Sequence, residues 1–373
     1  MRRSTSLTKR AVILAGMALV FAASAAAQQP RLTNAKLESR PAGGDLKGAV
    51  NSIVAAQESP AWLGYAVPML AGDEQMCCGT WTDSSGAHCN GCTLERDGGG
   101  VNISSDGSGS ASGAGPVKLE GPRYLFVLLR VEHKTVGKIR AFSEDCPLDA
   151  GGLPFYWLGE AKPEQSVALL SGYVSSAKDD DRDTQRLADG AITAIVFHAD
   201  ASADRALESF VAPSQPEWLR RKTSFWLGNA RGHAGYLILK RMAENDPSDR
   251  VRDQVTFALS QSRDPQAVDE MIHMAKDDSS QRVRGQALFW LGQKAGKKAV
   301  GALTDAIEND PDTEIKKKAV FALSQLPKDE GVPMLIEVAK NNKNSAVRKQ
   351  AMFWLGQSQD PRALSFFEQI LTH

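Results

Sequence analysis

The 373-residue chain has no charge surplus: 44 Lys and Arg balance 44 Asp and Glu. A nucleic-acid binder draws most of its affinity from phosphate contacts and needs a basic excess or stripe, so nucleic acid is set aside as a partner. Beyond the first 27 residues no apolar run reaches membrane length, and no helical membrane span is expected in the mature chain. No Gly-x-Ser-x-Gly elbow, phosphate-binding loop or dinucleotide fingerprint occurs. Gly107-Ser108-Gly109-Ser110-Ala111 is low-complexity sequence and not a nucleophile turn. The six histidines (His88, His133, His198, His233, His273 and His373) are scattered. With no acid, base and nucleophile set in view, the expectation is a non-enzymatic protein with no catalytic residues and no cofactor.

The five cysteines are Cys77, Cys78, Cys89, Cys92 and Cys146. The chain opens with a basic segment, a short apolar run and Ala25-x-Ala27, the layout of a secretory signal peptide at 1–27 cleaved near Ala27. The mature protein is therefore expected in a bacterial periplasm or outside the cell. In that setting disulfides are the default, and two bridges leave one cysteine over. Adjacent Cys77 and Cys78 are expected to take different partners. One scheme links one of them to Cys89 or Cys92 and another cysteine to Cys146. A metal reading uses Cys78, His88, Cys89 and Cys92, because zinc takes four Cys or His ligands and Cys89 and Cys92 have knuckle spacing. A redox reading uses Cys89-Asn90-Gly91-Cys92, although its Gly, Asp and Ser surroundings lack the helix start that would lower a thiol pKa.

Residues 28–45 are polar, contain Pro30, Pro41, Gly43 and Gly44, and read as a linker. Leu46, Val50, Ile53 and Val54 mark a short helix, and 61–68 reads as extended. Strand signals cluster at 124–131, 135–142 and 154–158, around a Gly- and Ser-rich loop at 97–116. Residues 46–175 are thus expected to form a small β-rich, Cys-containing domain. The charged run Lys178–Asp183 marks its border with the C-terminal half.

In that half one stretch recurs five times: Phe225-Trp226-Leu227-Gly228, Phe257-Ala258-Leu259-Ser260, Phe289-Trp290-Leu291-Gly292, Phe321-Ala322-Leu323-Ser324 and Phe353-Trp354-Leu355-Gly356. The step is 32 residues each time, the mark of a solenoid. Each unit reads as two helices. In the third copy Val283, Ala287, Trp290 and Leu291 make one apolar stripe, and Val300, Leu303, Ala306 and Ile307 make another. Asp264-Pro265 and Asp360-Pro361 are expected to open second helices, with Asp as cap and Pro at the first helical position. Repeats are expected from about 216, 248, 280, 312 and 344, after a degenerate leading repeat at 184–213.

These units resemble HEAT repeats in their short, phycobilin-lyase-like form. The resemblance rests on Val251-Arg252, Val283-Arg284 and Val347-Arg348, with Leu219-Arg220 and Ile315-Lys316 as variants, and on the Ala/Leu/Gly pattern after each pair. It covers residues 184–373 and implies a right-handed α-solenoid, which makes the whole chain mainly α. HEAT-like hydroxylases hold iron with His-Glu pairs, and this sequence has no His-Glu dipeptide. The resemblance implies a scaffold or adaptor for a protein partner. It places Lys240, Arg241, Asp269, Glu270, Asp305 and Glu337 on second helices that would line a concave binding face. Two alternatives stay open: an envelope sensor or regulator with the cysteines as a redox or metal switch, and a lyase-like enzyme.

The column Arg220, Arg252, Arg284, Lys316, Arg348 keeps step with Asp246, Asp278, Asp310 and Asn342, so cross-repeat ion pairing is expected rather than an anion site. The amide column Asn229, Gln261, Gln293, Gln325, Gln357 should bond first-helix ends. Trp226, Trp290 and Trp354 alternate with Ala258 and Ala322, as interdigitated packing requires. Trp290→Ala should therefore cost about 3–5 kcal/mol in a denaturant melt if the ring is buried, and an unchanged melt would remove the packing reading.

Overall fold

A computed structural model describes residues 29–71, 75–78, 80–83, 86–89, 91–95, 102–104, 122–294 and 296–372. The expected signal peptide and most of the 97–116 loop lie outside the described residues, as do His373 and the side chains of His88 and Cys89. The strands are β1 (Leu32–Thr33), β2 (Lys36–Ser39), β3 (Ala61–Pro68), β4 (Gln75–Cys77), β5 (Thr80–Asp83), β6 (Gly86–Cys89), β7 (Cys92–Thr93), β8 (Asn102–Ser104), β9 (Tyr124–Glu132), β10 (Thr135–Ser143), β11 (Leu148–Asp149) and β12 (Pro154–Glu160). Helices α1 (Leu46–Ala56) and α2 (Pro163–Ser175) belong to the same half. The rest is helical: α3 (Arg182–Val196), α4 (Ala201–Phe210), α5 (Glu217–Ala230), α6 (Gly232–Asn245), α7 (Asp249–Gln261), α8 (Ala267–Asp277), α9 (Gln281–Lys294), α10 (Lys297–Asn309), α11 (Thr313–Ser324), α12 (Lys328–Asn341), α13 (Ser345–Gln357) and α14 (Pro361–Leu371).

The main sheet has the order β10-β9-β3-β12-β2, antiparallel from β10 to β3 and parallel from β3 to β2. Side chains along a strand alternate between faces, and here both faces are covered. Leu63, Tyr65, Val67, Leu125, Val127 and Leu129 enter the core shared with the helices. Trp62, Ala66, Phe126 and Leu128 enter a second core with Cys77, Cys92 and Cys146. Two-sided burial is why 124–129 reads as one continuous apolar run. Disulfides join Cys77 to Cys146 and Cys78 to Cys92, so the adjacent cysteines do take different partners. Trp62 Nε1 and Arg130 Nε both donate to Glu95, at 2.7 and 3.0 Å, and tie the segment after Cys92 to the sheet.

Two expected boundaries change. Residues 28–45 are not a linker, because β1 pairs with β11 and β2 is the edge strand beside β12. All four β2 residues are exposed, so that strand is held by backbone pairing and carries no apolar signal. Lys178–Asp183 is not a domain border but the α2–α3 turn, inside one continuous core. There α3 lies directly on β10: a Cβ at Gly190 would overlap the Ile139 carbonyl oxygen. Residues 163–175, to which the sequence pattern assigns no element, form α2 with Pro163 at its first turn.

First helices begin at Glu217, Asp249, Gln281, Thr313 and Ser345, which keeps the 32-residue step. Asp360-Pro361 opens α14 as expected, with Asp360 accepting from the Arg362 amide at 2.9 Å. Asp264-Pro265 does not open α8, which starts two residues later at Ala267. Asp264 instead holds the preceding turn by accepting from the Gln266 amide at 2.9 Å.

The Trp/Ala alternation reflects two kinds of junction. From first to second and third to fourth copies, Phe225 stacks on Phe257 at 6.0 Å and Phe289 on Phe321 at 6.3 Å. Gly228 and Gly292 let the Ala258 and Ala322 backbones come into contact there, since a Cβ at Gly292 would sit 2.8 Å from the Ala322 oxygen. At the alternate junctions Trp290 covers Phe257 at 4.9 Å and Trp354 covers Phe321 at 5.0 Å. Ala258 and Ala322 are fully buried, while the three Trp rings are half-buried against the core. Half burial puts the Trp290→Ala cost at the lower end of its range, about 3 kcal/mol.

Where sheet and helices join, a buried polar chain runs through the core. The Ser166 hydroxyl bonds Tyr65 Oη at 2.9 Å and His198 Nε2 at 2.8 Å, and His198 Nδ1 lies 2.8 Å from the Ala194 carbonyl. Arg231 Nη1 donates to the Val196 and His198 carbonyls, both at 2.9 Å, and its Nη2 pairs with Asp204 at 2.6 Å. His198 is fully buried, and burial pulls its pKa down from 6.5 to about 4. The folded protein keeps a neutral imidazole that the unfolded chain protonates. Stability from this group is thus complete above about pH 6.5 and lost as pH falls towards 4. Urea titrations from pH 7 to pH 4.5 should show a loss on the order of 3 kcal/mol, and a shallower one in His198→Gln.

Candidate binding surface

What positions the helices is a charged staple in each of the first three repeats. Arg220 Nη1 donates to both Asp246 oxygens at 2.7 and 2.6 Å, with both side chains buried. Arg252 and Arg284 repeat the pairing, with Asp278 at 2.8 and 3.0 Å and with Asp310 at 2.8 and 3.3 Å. The partner is always 26 residues on, in the turn that ends the same repeat, so the ion pair itself does not cross repeats. The crossing bond is to a carbonyl. Arg252 Nη1 reaches the Asp246 oxygen at 2.8 Å, Arg284 Nη1 the Asp278 oxygen at 3.0 Å, and Arg348 Nη1 the Asn342 oxygen at 2.8 Å. Each Asp also braces its own turn, with Asp246 accepting from the Ser248 amide at 2.9 Å and Asp278 from the Ser280 amide at 2.8 Å, just ahead of the next helix. Every such turn is thus held from both sides. In the fourth repeat both members of the pair change together: Lys316 Nζ bonds the Glu308 carbonyl at 2.6 Å, and Asn342 bonds the Glu308 carboxylate at 3.0 Å.

The amide column has mixed duties. Asn229 Nδ2 bonds the Phe225 carbonyl at 2.9 Å, whereas Gln261 and Gln325 donate to Ser260 and Ser324 at 2.9 and 3.0 Å. Gln293 reaches across to Gln325 at 3.4 Å.

Small residues draw the first helices together, and the second helices stand further apart. Grooves open between them. One, of 330 Å³, lies between α4 and α6, with Val211, Ile238 and Met242 inside it and the Arg241–Glu208 ion pair at its rim. Another, of 360 Å³, lies between α8 and α10 and is lined by Ile272, Ala275, Ala302 and Ala306. Lys276 and Asp305 flank it 3.9 Å apart. The two grooves share one design, an apolar floor beneath a bridging ion pair.

Of the residues expected on this face, Arg241, Asp269 and Glu337 are exposed, and Lys240 and Asp305 are half-exposed. Glu337 and Asp305 accept from Asn341 and Asn309 at 2.6 and 2.7 Å. Glu270 is not available to a partner. It is 5% exposed, turned from α8 towards α6, with Lys240 at 3.9 Å. Burial raises its pKa. Lys276 and the groove floors escape sequence reasoning, because Ile238, Met242 and Ile272 belong to apolar stripes that read as core.

Elsewhere, a charged cleft of 550 Å³ lies beside the sheet, lined by Glu95, Arg130, Gly137, Lys138, Asp183 and Arg186. Cys78 and Cys92, two of the candidate metal ligands, are tied up in a disulfide and have no thiolate to give. Among the described residues no group of three His, Cys, Asp or Glu could hold a metal ion, and no helix is long and apolar enough to cross a membrane.

Residues 205–292 and 300–373 match the family model of HEAT repeats. The C-terminal half of this mainly helical chain is therefore a HEAT-repeat array, joined to a β-rich, disulfide-bearing N-terminal region. Among solved structures it is similar to YibA of Escherichia coli, at 22% identity over 54% of this chain and 76% of that one, with a TM-score of 0.36. It is also similar to the CpcE–CpcF complex of phycocyanin lyase from Nostoc, at 24% identity over 42% of this chain and 99% of that one, with a TM-score of 0.32. A third is human deoxyhypusine hydroxylase, at 16% identity over 55% and 77%, with a TM-score of 0.30. No curated protein matches the chain.

Removing one member of a buried ion pair strands the other charge, at a cost of roughly 3–5 kcal/mol. Asp246→Asn should accordingly lower unfolding stability by about 3 kcal/mol. A loss below about 1 kcal/mol in urea titration would show that the staple is not what ties α5 to the α6–α7 turn.

Proposed function

We propose that the protein is an exported, non-enzymatic scaffold that holds a protein partner along its second-helix row. The repeated groove carries this reading: the dents at α4/α6 and α8/α10 offer apolar floors with a basic and an acidic group beside them. Such sites accept apolar side chains spaced along a partner, while the rim charges set register and partner choice. A stacked array extends the surface without a new fold for each contact. Two disulfides support the periplasmic or extracellular setting, since such bonds persist where the surroundings are oxidising.

The test uses the whole chain, because α3 shares a core with the sheet and a cut near residue 184 would bare it. Cross-linked capture from the envelope fraction is compared among wild type, Arg241→Glu and Ala302→Arg. Arg241 stands at the rim of one groove and Ala302 at the half-exposed floor of the other, so unfolding midpoints should hold while capture of the same protein falls roughly tenfold. Equal capture by all three would take binding off this face.

A further inference from the structure

The face of α13 and α14 turned away from α11 and α12 is bare and apolar. Phe353 is 54% exposed, Leu364 61%, Ile370 44% and Leu371 84%. Among the described residues only Leu37 and Leu237 are comparable large apolar side chains at the surface. Inside the stack the same positions are covered: Phe225 and Phe289 lie under the Phe of the next repeat. Gly228 and Gly292 meet the Ala258 and Ala322 backbones, whereas Gly356 has nothing within 4 Å of where its Cβ would stand. Beside it is a recess of 400 Å³ lined by Leu355, Gly356, Pro361, Ala363, Leu364 and Phe367.

We propose that this face joins two copies of the chain, α13 and α14 of one protomer against α13 and α14 of the other. Clustered apolar exposure of this kind on a soluble protein marks an interface. Three observations select a second copy as the occupant. Equivalent faces within the chain take a repeat of the same chain, there by its opposite face, with Phe on Phe and Gly open to close backbone approach. The local charges also permit self-contact: Arg362 is neutralised by Asp360 at 2.8 Å, and the exposed Lys349 and Glu368 have opposite signs. Finally, the other end of the stack is covered, because α3 lies against β10. Head-to-tail growth therefore has no acceptor, and a tail-to-tail contact with the same patch on both sides closes at two.

Sedimentation velocity on the full chain tests this over a concentration series. Wild type should be a dimer at about 10 μM, and Leu364→Glu with Leu371→Glu should weaken the dimer at least roughly tenfold. Both side chains are solvent-exposed, so the thermal melt of the monomer should stay in place. Leu237→Glu, on a different exposed leucine, should dimerise as wild type does. A wild type that stays monomeric up to about 100 μM overturns the proposal. So does a dimer that the double variant leaves intact, or one that Leu237→Glu breaks.

Discussion

A two-helix unit of 32 residues cannot bury both of its apolar stripes by itself, and everything in the helical half answers that constraint. Each unit must be fixed to the next at a set distance and angle. Arg252 and Arg284 each do this with one side chain, taking an aspartate in the repeat's own closing turn and a carbonyl in the turn before. Burying charge is costly unless it is paired, and the aspartate also accepts a backbone amide of its own turn. Where Arg is replaced by Lys316, Asp is replaced by Asn342, and the turn is rebuilt around Glu308 without a stranded charge.

The same staple explains why the two helix rows differ. On the first-helix side, glycine and alanine bring backbones into contact, and aromatic rings close the remaining gaps. Larger Leu, Met and Ile side chains space the second helices. Between them lie the grooves on which the binding proposal rests. Rigid stapling on one side thus leaves recesses on the other, and the recesses inherit the repeat period.

The β-rich half is more than an appendage. Its sheet has one face on the cysteine-bearing segments and the other on α1, α2 and α3, so the solenoid grows from the sheet's own core. The chain Tyr65–Ser166–His198, with Arg231 over the last turn of α3, satisfies the polar groups that this junction buries. The price is one histidine that must remain neutral.

The sequence by itself determined the period, the first-helix starts, the Trp/Ala alternation, and the strands at 61–68, 124–131 and 135–142. Each depends on local pattern: a 32-residue step, a 3.6-residue stripe or an unbroken apolar run. It also showed that Cys77 and Cys78 should part company. Only the tertiary structure decided the pairing to Cys146 and Cys92, because pairing depends on which segments the sheet brings together. It alone placed β2, an edge strand whose exposed side chains carry no signal, and α2, which fills the gap between sheet and stack. It alone turned Glu270 inward and Ile272 into a groove. One helix pattern cannot say which stripe a neighbour covers, since that depends on the spacing between helices set by residues on the opposite row.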